Sequence, residues 1–140
     1  PESGNIVTED GEVLGKHNGL FNYTIGQRKG LGIAYKHPLY VIGFNGKRNE
    51  VIVGPNERLF TNRMICKFYN FLDDTIHKEL KAEGKIRYAA NPSPCTARIL
   101  DDDTMEVIFE EPQRAITPGQ SVAFYNGTQL LGGAVIDRVC

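Results

Sequence analysis

Residues 39–54, LYVIGFNGKRNEVIVG, contain two apolar runs separated by a polar turn. Leu39 to Phe44 and Asn49 to Gly54 are rich in β-branched and aromatic side chains, which favour strands. Asn45-Gly46 lies between them, and this dipeptide accepts the positive φ angles of a tight hairpin turn. The segment therefore predicts a β-hairpin within an all-β chain.

The residues after this hairpin repeat the pattern of short apolar runs divided by turns. The 140 residues include 15 glycines and 7 prolines, a punctuation typical of strands and tight turns. Closing a set of strands into a Greek-key β-barrel removes the unpaired edges of a flat sheet. Six barrel strands are expected, at Met64 to Phe71, Gly84 to Ala89, Cys95 to Leu100, Thr104 to Glu110, Ser121 to Tyr125 and Leu130 to Asp137.

The fourth of these strands has the clearest alternation. Its residues Met105, Val107 and Phe109 alternate with Glu106, Ile108 and Glu110, so one face can be buried. Turn residues join the other strands, with hairpin turns expected at Asp101 to Asp103, Thr117 to Gln120 and Asn126-Gly127.

The apolar pattern pauses between Pro55 and Met64, which predicts a domain boundary. We expect a small central basic β module over residues 1–61 and a six-stranded C-terminal β-barrel over residues 62–140. Helix signals are weak, because residues 73–81 allow only one short turn and residues 11–19 are rich in glycine.

The charges are unevenly distributed although the formal net charge is only -1. From Gly15 to Arg48 there is no Asp or Glu, and we call residues 15–48 the acid-free segment. Such a basic face can meet phosphates while the rest of the surface discourages indiscriminate binding. The alternative is a solvated loop whose charges bind nothing. The segment carries Lys16, Arg28, Lys29, Lys36, Lys47 and Arg48.

A recognition element is predicted at residues 15–20 and 23–32, where five glycines flank polar side chains, and we call its part at residues 26–30 the recognition loop. Arg28 can hold a phosphate through two parallel hydrogen bonds, Lys29 supplies a point charge, and Gln27 can donate and accept at a base edge or backbone group. Neither a P-loop pattern nor GxGxxG after a strand occurs here, so a nucleotide cradle is not favoured. The candidate RNA-binding residues are Lys16, His17, Tyr23, Gln27, Arg28 and Lys29, with Lys85 and Arg87 expected on one side of a strand, where the alternative is a plain solvated edge. Of the aromatic residues near the loop, Phe21, Tyr23, Tyr35 and Tyr40, only Tyr23 is selected to stack on an unpaired base, and the others are expected in the core.

No catalytic residue and no metal site is expected. His17 and His37 have no ligand residues at metal spacing. The three cysteines, Cys66, Cys95 and Cys140, have no close spacing; the first two are expected in the core and the last at a frayed end.

The composition is typical of a soluble protein of the reducing cytoplasm. No apolar run approaches the roughly 20 residues needed to cross a bilayer, so no membrane partner is expected. Because the sequence begins with Pro1 in a polar stretch, we expect it to start inside a longer protein.

Three separated motifs in order resemble bacterial tRNA-specific 2-thiouridylases, proteins also labelled tRNA methyltransferases. They are HNGLFNYTIGQRKGLG at residues 17–32, KIRY at residues 85–88 and TPGQSVAFYNG at residues 117–127, followed by LGG at residues 131–133. The resemblance covers the central and C-terminal regions of that family. Leu39 stands where the family often has Trp, and Ala134 where a third Gly is common.

The resemblance implies an ATP-dependent enzyme that thiolates C2 of the wobble uridine of tRNA with sulfur from a cysteine persulfide. The catalytic cysteines and the site for ATP, with Mg, would lie in an N-terminal domain upstream of this chain. The chain alone is then expected to be inactive and to hold no cofactor, with a barrel similar to domain 2 of elongation factor Tu.

The expected partners are tRNA, the missing catalytic domain and, as a further candidate, a sulfur-relay protein. The leading interpretation is a fragment that binds and positions tRNA. The alternative is a protein-interaction barrel that docks on the catalytic domain or a sulfur-relay donor and has little RNA affinity of its own.

Overall fold

A computed structural model describes residues 2–73, 78–88 and 90–140. The chain divides into two compact units, Pro1–Phe60 and Thr61–Cys140, which we call unit 1 and unit 2. The all-β fold class is confirmed, since the described residues form ten strands and two short 3-10 helices. Neither helix is long and apolar enough to span a bilayer.

Unit 1 is a four-stranded mixed sheet. Its strands are β1 (Gly4–Thr8), β2 (Val13–His17), β3 (Tyr40–Asn45) and β4 (Glu50–Gly54), in the order β2-β1-β4-β3. The central pair, β1 and β4, is parallel and the outer pairs are antiparallel. The 3-10 helices are Leu20–Asn22 and Asn56–Leu59. The unit buries its own apolar cluster of Ile6, Leu31, Leu39, Val41, Val51 and Val53.

The predicted hairpin at residues 39–54 is confirmed as β3 and β4, although its turn differs from the expected one. The strands pair from Tyr40 with Gly54 to Asn45 with Glu50. The positive φ angle falls at Asn49, at 54°, rather than at the Asn45-Gly46 dipeptide. Asn45 instead accepts a hydrogen bond at Oδ1 from the Arg48 amide, at 3.2 Å, as Asn side chains commonly do in turns.

The hairpin of β1 and β2 was not predicted from the sequence. A signal for it was present, because Ile6 and Val7 precede Asp10-Gly11 and Val13 and Leu14 follow it. Gly11 has a φ of 89°, which only glycine adopts readily. The charged residues around this turn interrupt the apolar pattern, so the hairpin was not recognised from the sequence.

Unit 2 is a closed six-stranded barrel. Its strands are β5 (Phe60–Phe71), β6 (Glu79–Lys85), β7 (Ser93–Ile99), β8 (Thr104–Arg114), β9 (Ser121–Asn126) and β10 (Gln129–Val139). They close in the order β10-β5-β8-β7-β6-β9. Strands β6, β7 and β8 follow one another as antiparallel neighbours, and β9 returns to pair with β6. That arrangement is a Greek key.

The alternation predicted for β8 is confirmed on its inner face. Met105, Val107 and Phe109 are buried, while Ile108 and Glu110 are exposed. Residues 117–120 form a turn as predicted, but the turn leads from β8 to β9, which are not neighbours. The prediction of a hairpin there was wrong because the closed barrel places two strands between β8 and β9 on each side, β7 and β6 on one and β5 and β10 on the other.

The strand predicted at Gly84 to Ala89 begins and ends earlier in the structure. It runs over Glu79–Lys85, and residues 86–88 form a bend and turn. The residues predicted to form a short helical turn lie partly in this strand and partly, at 74–77, outside the described residues. The inner face of β6 carries Leu80, Ala82 and Gly84, and two of these three are too small to give a clear apolar signal.

Glu106 lies on the outer side of β8 and is nevertheless buried. Arg63 donates to its Oε2 at 2.6 Å, and Arg98 donates to its Oε1 at 2.8 Å. The hydrogen bond from Arg63, more than the attraction of Arg98, lowers the pKa of the Glu106 carboxyl below its ordinary value of 4.5. In unit 1 the two hydrogen bonds from Arg58 likewise lower the pKa of Glu9.

We expect unit 2 to lose stability as the pH falls, in part through Glu106. A carboxyl whose pKa is lowered by folding stabilises the fold above its unfolded pKa and ceases to do so as the pH falls through its folded pKa. Glu106→Gln should therefore be less stable by about 1 kcal/mol at neutral pH, a modest value because both arginines are half exposed.

Urea titrations of both proteins from neutral pH to about pH 3 measure this difference. The gap between the two free energies of unfolding should close towards the acidic end. A gap that stays constant across the range would show that the charge of Glu106 does not stabilise the barrel.

Candidate nucleic-acid interface

The connection between β2 and β3, residues 18–39, carries four of the eight predicted site residues, Tyr23, Gln27, Arg28 and Lys29. Its middle is fixed to β3, because the Gly26 amide donates to the Val41 carbonyl at 2.8 Å and the Val41 amide donates to the Gln27 carbonyl at 2.9 Å. These bonds cover the edge of β3, whose one strand neighbour among the described residues is β4. The loop is thus anchored to the sheet immediately before Arg28.

The Gln27 side chain closes this loop on itself. Its Oε1 accepts from the Thr24 amide at 3.0 Å, and its Nε2 donates to the Lys29 carbonyl at 2.9 Å. Gly26 and Gly30, with φ angles of 92° and 77°, allow the chain to turn on either side. Both ends of the amide are therefore engaged within the loop, and the side chains that follow, Arg28 and Lys29, are exposed.

His17 is buried, with 2% of its surface exposed. Its Nε2 lies 2.8 Å from the Asn49 carbonyl oxygen, and its Nδ1 accepts from the Gly19 amide at 3.0 Å. This pattern assigns the neutral tautomer with the proton on Nε2. The ring of Tyr23 meets the imidazole edge to face at 5.9 Å and packs against the core of unit 1. Both side chains shape the start of the connection.

Lys16 is exposed on β2 beside the same connection. Its neighbour Gly15 packs against Ile33, since a Cβ built at Gly15 would lie 3.4 Å from Ile33 Cγ1. Strand β2 and the residues after the recognition loop are therefore in contact. Of the six candidates in unit 1, the exposed cations are Lys16, Arg28 and Lys29.

The prediction that Lys85 and Arg87 share one side of a strand was wrong. Lys85 is the last residue of β6, and its Nζ lies 5.4 Å from the ring centroid of Tyr88. Arg87 lies beyond the strand and donates to the carbonyls of Arg114 and Ala115 at 2.8 and 2.7 Å. Ala115 has a positive φ of 58°, so Arg87 braces an unusual backbone conformation.

A cleft of about 730 Å³ opens along residues 28–39, and no sequence pattern had predicted it. Tyr35, Lys36 and His37 border it together with Arg28. The Lys36 ammonium lies 5.8 Å from the centroid of the Tyr35 ring, and the His37 ring meets Tyr35 edge to face at 5.0 Å. Aromatic residues next to cations inside the acid-free segment were the signal that could have revealed it.

The buried thiols are poor candidates for covalent chemistry. Burial raises the pKa of both Cys66 and Cys95 to about 12, so both stay protonated at neutral pH. Cys140, which was expected at a frayed end, is exposed, and its amide donates to the Arg63 carbonyl at 3.0 Å. Over residues 2–73, 78–88 and 90–140, no three His, Cys, Asp or Glu side chains gather as metal ligands.

The fold and site define a two-unit β protein with a cationic, glycine-rich loop. Residues 1–55 match the tRNA methyl transferase PRC-barrel domain, and residues 61–136 match the aminomethyltransferase β-barrel domain. The chain belongs to the tRNA-specific 2-thiouridylase family, of which it contains these two domains.

Curated relatives carry the name tRNA-specific 2-thiouridylase MnmA. The protein of Clostridioides difficile strain 630 is 46% identical over 98% of this chain and 38% of its own length. That of Clostridium botulinum strain Eklund 17B is 48% identical over 99% and 38%, and that of Geobacter metallireducens is 46% identical over 96% and 36%. The chain thus spans less than two fifths of the relatives that it matches.

Proposed function

We propose that this chain binds and positions tRNA for a 2-thiouridylase. The intact enzyme would use ATP to activate C2 of the wobble uridine and would then install sulfur from a cysteine persulfide. The relatives' names support the tRNA substrate. The observation that carries the binding role is the exposed pair Arg28 and Lys29 on a loop that hydrogen bonds fix to β3.

The loop geometry suits contacts with a phosphate backbone. The Arg28 guanidinium can donate two parallel hydrogen bonds to one phosphate, and Lys29 adds a compact charge. Gln27 holds the loop that presents them, so we assign it a positioning role, and His17 has the same role at the start of the connection. Phosphate contacts fix the register of the RNA without reading its sequence.

We propose that the intact enzyme binds and uses ATP at a site outside these residues. The glycine-rich loop at 26–32 is followed by further loop and then β3, whereas a phosphate-binding loop leads into a helix. The described residues therefore do not fit the phosphates of ATP with Mg. With Cys66 and Cys95 buried, we propose that the chain alone thiolates nothing and that it acts with the catalytic domain in the cytoplasm.

Arg28→Ala combined with Lys29→Ala should weaken tRNA binding and flatten its salt dependence. Each phosphate contact contributes roughly 0.7 to 0.9 to the slope of log affinity against log salt, so two lost contacts should reduce the slope by about 1 to 2 units. Fluorescence anisotropy with labelled tRNA from low to moderate salt measures this slope.

Lys47→Ala combined with Arg48→Ala is the matched control. It removes the same charge from the same acid-free segment, at the turn between β3 and β4. The control should keep most of the slope. Equal losses in the two double variants would attribute the effect to net charge, and an unchanged slope in the first would refute the assigned role.

A second candidate function is protein docking by the barrel, favoured by exposed apolar side chains on unit 2. Phe68 and Leu72 are 68% and 72% exposed, and unit 2 carries more acidic than basic residues. Such a surface would meet the catalytic domain or a sulfur-relay donor more readily than a phosphate backbone. Under this alternative the chain would bind tRNA with little affinity and almost no salt slope.

A further inference from the structure

We propose that the cleft along residues 28–39 holds a single unpaired nucleotide of the bound RNA. This inference rests on the proposed function and deepens it, because it adds a base-binding site to the phosphate contacts of the recognition loop. The residues that carry it are Tyr35 and Lys36, with Arg28 at the entrance from that loop. A nucleotide can contact all three side chains without a change in the fold of unit 1.

The size and lining of the cleft suit one nucleotide. Its volume of about 730 Å³ falls within the ordinary range of ligand sites, roughly 300 to 1,000 Å³. Leu31 and Leu39 supply buried apolar surface, and the lining contains no Asp or Glu. A neutral base and an anionic phosphate can therefore both enter without meeting a like charge.

Tyr35 and Lys36 offer the two contacts that a nucleotide needs. Tyr35 is 37% exposed, so a base can reach its ring, and the Lys36 ammonium lies 5.8 Å from the ring centroid. Aromatic rings beside cations are the usual combination for single-stranded RNA, since the base stacks on the ring and the phosphate pairs with the cation. The edge-to-face contact with His37 restrains the Tyr35 ring.

The charges around the rings also select the side from which a nucleotide enters. Tyr35 and His37 border a second, smaller cleft of about 220 Å³, which is lined by Glu9, Asp10 and Glu12. A phosphate is repelled by these carboxylates. The larger cleft, with Arg28 and Lys36, is the one that accepts an anion.

The test compares two short RNA probes that differ by one base. One is an abasic strand with a single central uridine, and the other is a fully abasic strand of the same length. Tyr35→Ala in the whole chain should weaken binding of the uridine strand about tenfold, within the range for base stacking on an aromatic ring, and leave the abasic strand unchanged. Tyr35→Phe should bind both strands like the unmodified chain.

Two matched controls separate this site from general effects. Phe44→Ala removes a similarly exposed aromatic ring of unit 1 from outside the cleft, and Lys47→Ala removes a cation from outside it. Lys36→Ala should lower the salt slope by about 0.7 for both strands, and Lys47→Ala by less. A Phe44 variant that weakens binding of the uridine strand as strongly as the Tyr35 variant would overturn the inference.

The outcomes distinguish this inference from the proposed function. Salt-dependent binding of tRNA, with equal binding of the two probes before and after Tyr35→Ala, would overturn the nucleotide site and leave the phosphate contacts intact. Equal binding of the two probes is also the result expected if the cleft holds a peptide or protein segment instead of a nucleotide. Failure of the chain to bind any RNA would overturn both.

Discussion

Phe109→Ala should reduce the unfolding free energy of unit 2 by about 3–5 kcal/mol, the range for removing a large aromatic side chain from a core. Phe109 is 1% exposed and lies on the inner face of β8, opposite Cys95 of β7. Its ring also fills the space above Gly84, where an added Cβ would lie 3.0 Å from Phe109 Cε1. Removing the ring leaves a cavity that a closed barrel cannot readily collapse.

Urea denaturation followed by circular dichroism measures the loss, and Ile108→Ala is its control. Ile108 is adjacent in sequence but 40% exposed on the other face, so its truncation should cost less than about 1 kcal/mol. Because a typical domain is stable by only 5–15 kcal/mol, the Phe109 variant should also unfold at a visibly lower temperature. Similar losses in both variants would contradict the assigned inner face.

The barrel could be predicted from sequence where its inner face carries large side chains. In β8 the alternation of Met105, Val107 and Phe109 with outward residues has the period of a strand. In β6 the inner position opposite the Phe109 ring must be small, and Gly84 occupies it. The sequence of β6 therefore lacks a clear apolar alternation because Phe109 of β8 fills the space beside it. Gly84 and Phe109 are far apart in the chain, so no local sequence pattern shows this dependence.

The candidate site, like the barrel, could be predicted from the sequence only in part. The exposed cations Arg28 and Lys29 were predictable, because the absence of acids over residues 15–48 is a property of the sequence. The role of Gln27 was not, since its amide bonds to residues 24 and 29 are visible only in the folded loop. The His17 imidazole bonds to the Asn49 carbonyl, 32 residues away, and no local sequence pattern predicts this hydrogen bond.

That contact also explains why Gly4 has to be glycine. Gly4 pairs with His17 across β1 and β2. A Cβ at this position would collide with the Asn49 carbonyl oxygen and would lie 2.7 Å from His17 Nε2. Because the Asn49 carbonyl belongs to the backbone of the turn between β3 and β4, it cannot move without displacing that turn.

Gly4→Ala should therefore destabilise unit 1 by about 2–4 kcal/mol, combining overpacking with loss of the hydrogen bond between His17 and Asn49. Gly46→Ala is the control, because a Cβ there meets nothing within 4 Å, and it should be neutral or slightly stabilising. Amide hydrogen exchange of β1 to β4 measures both variants. Equal protection in the two would refute the constraint at Gly4.

The same variant connects the stability of unit 1 to the binding role that we propose for it. His17 holds the Gly19 amide as well as the Asn49 carbonyl, so a displaced imidazole releases the start of the connection that carries Arg28 and Lys29. Under conditions where Gly4→Ala is still folded, tRNA affinity should fall without loss of any cation. Gly4→Ala removes no charge, so the salt slope should fall only if the displaced loop no longer contacts the phosphates. A loss of affinity with a largely unchanged slope would therefore indicate misplaced cations rather than missing ones.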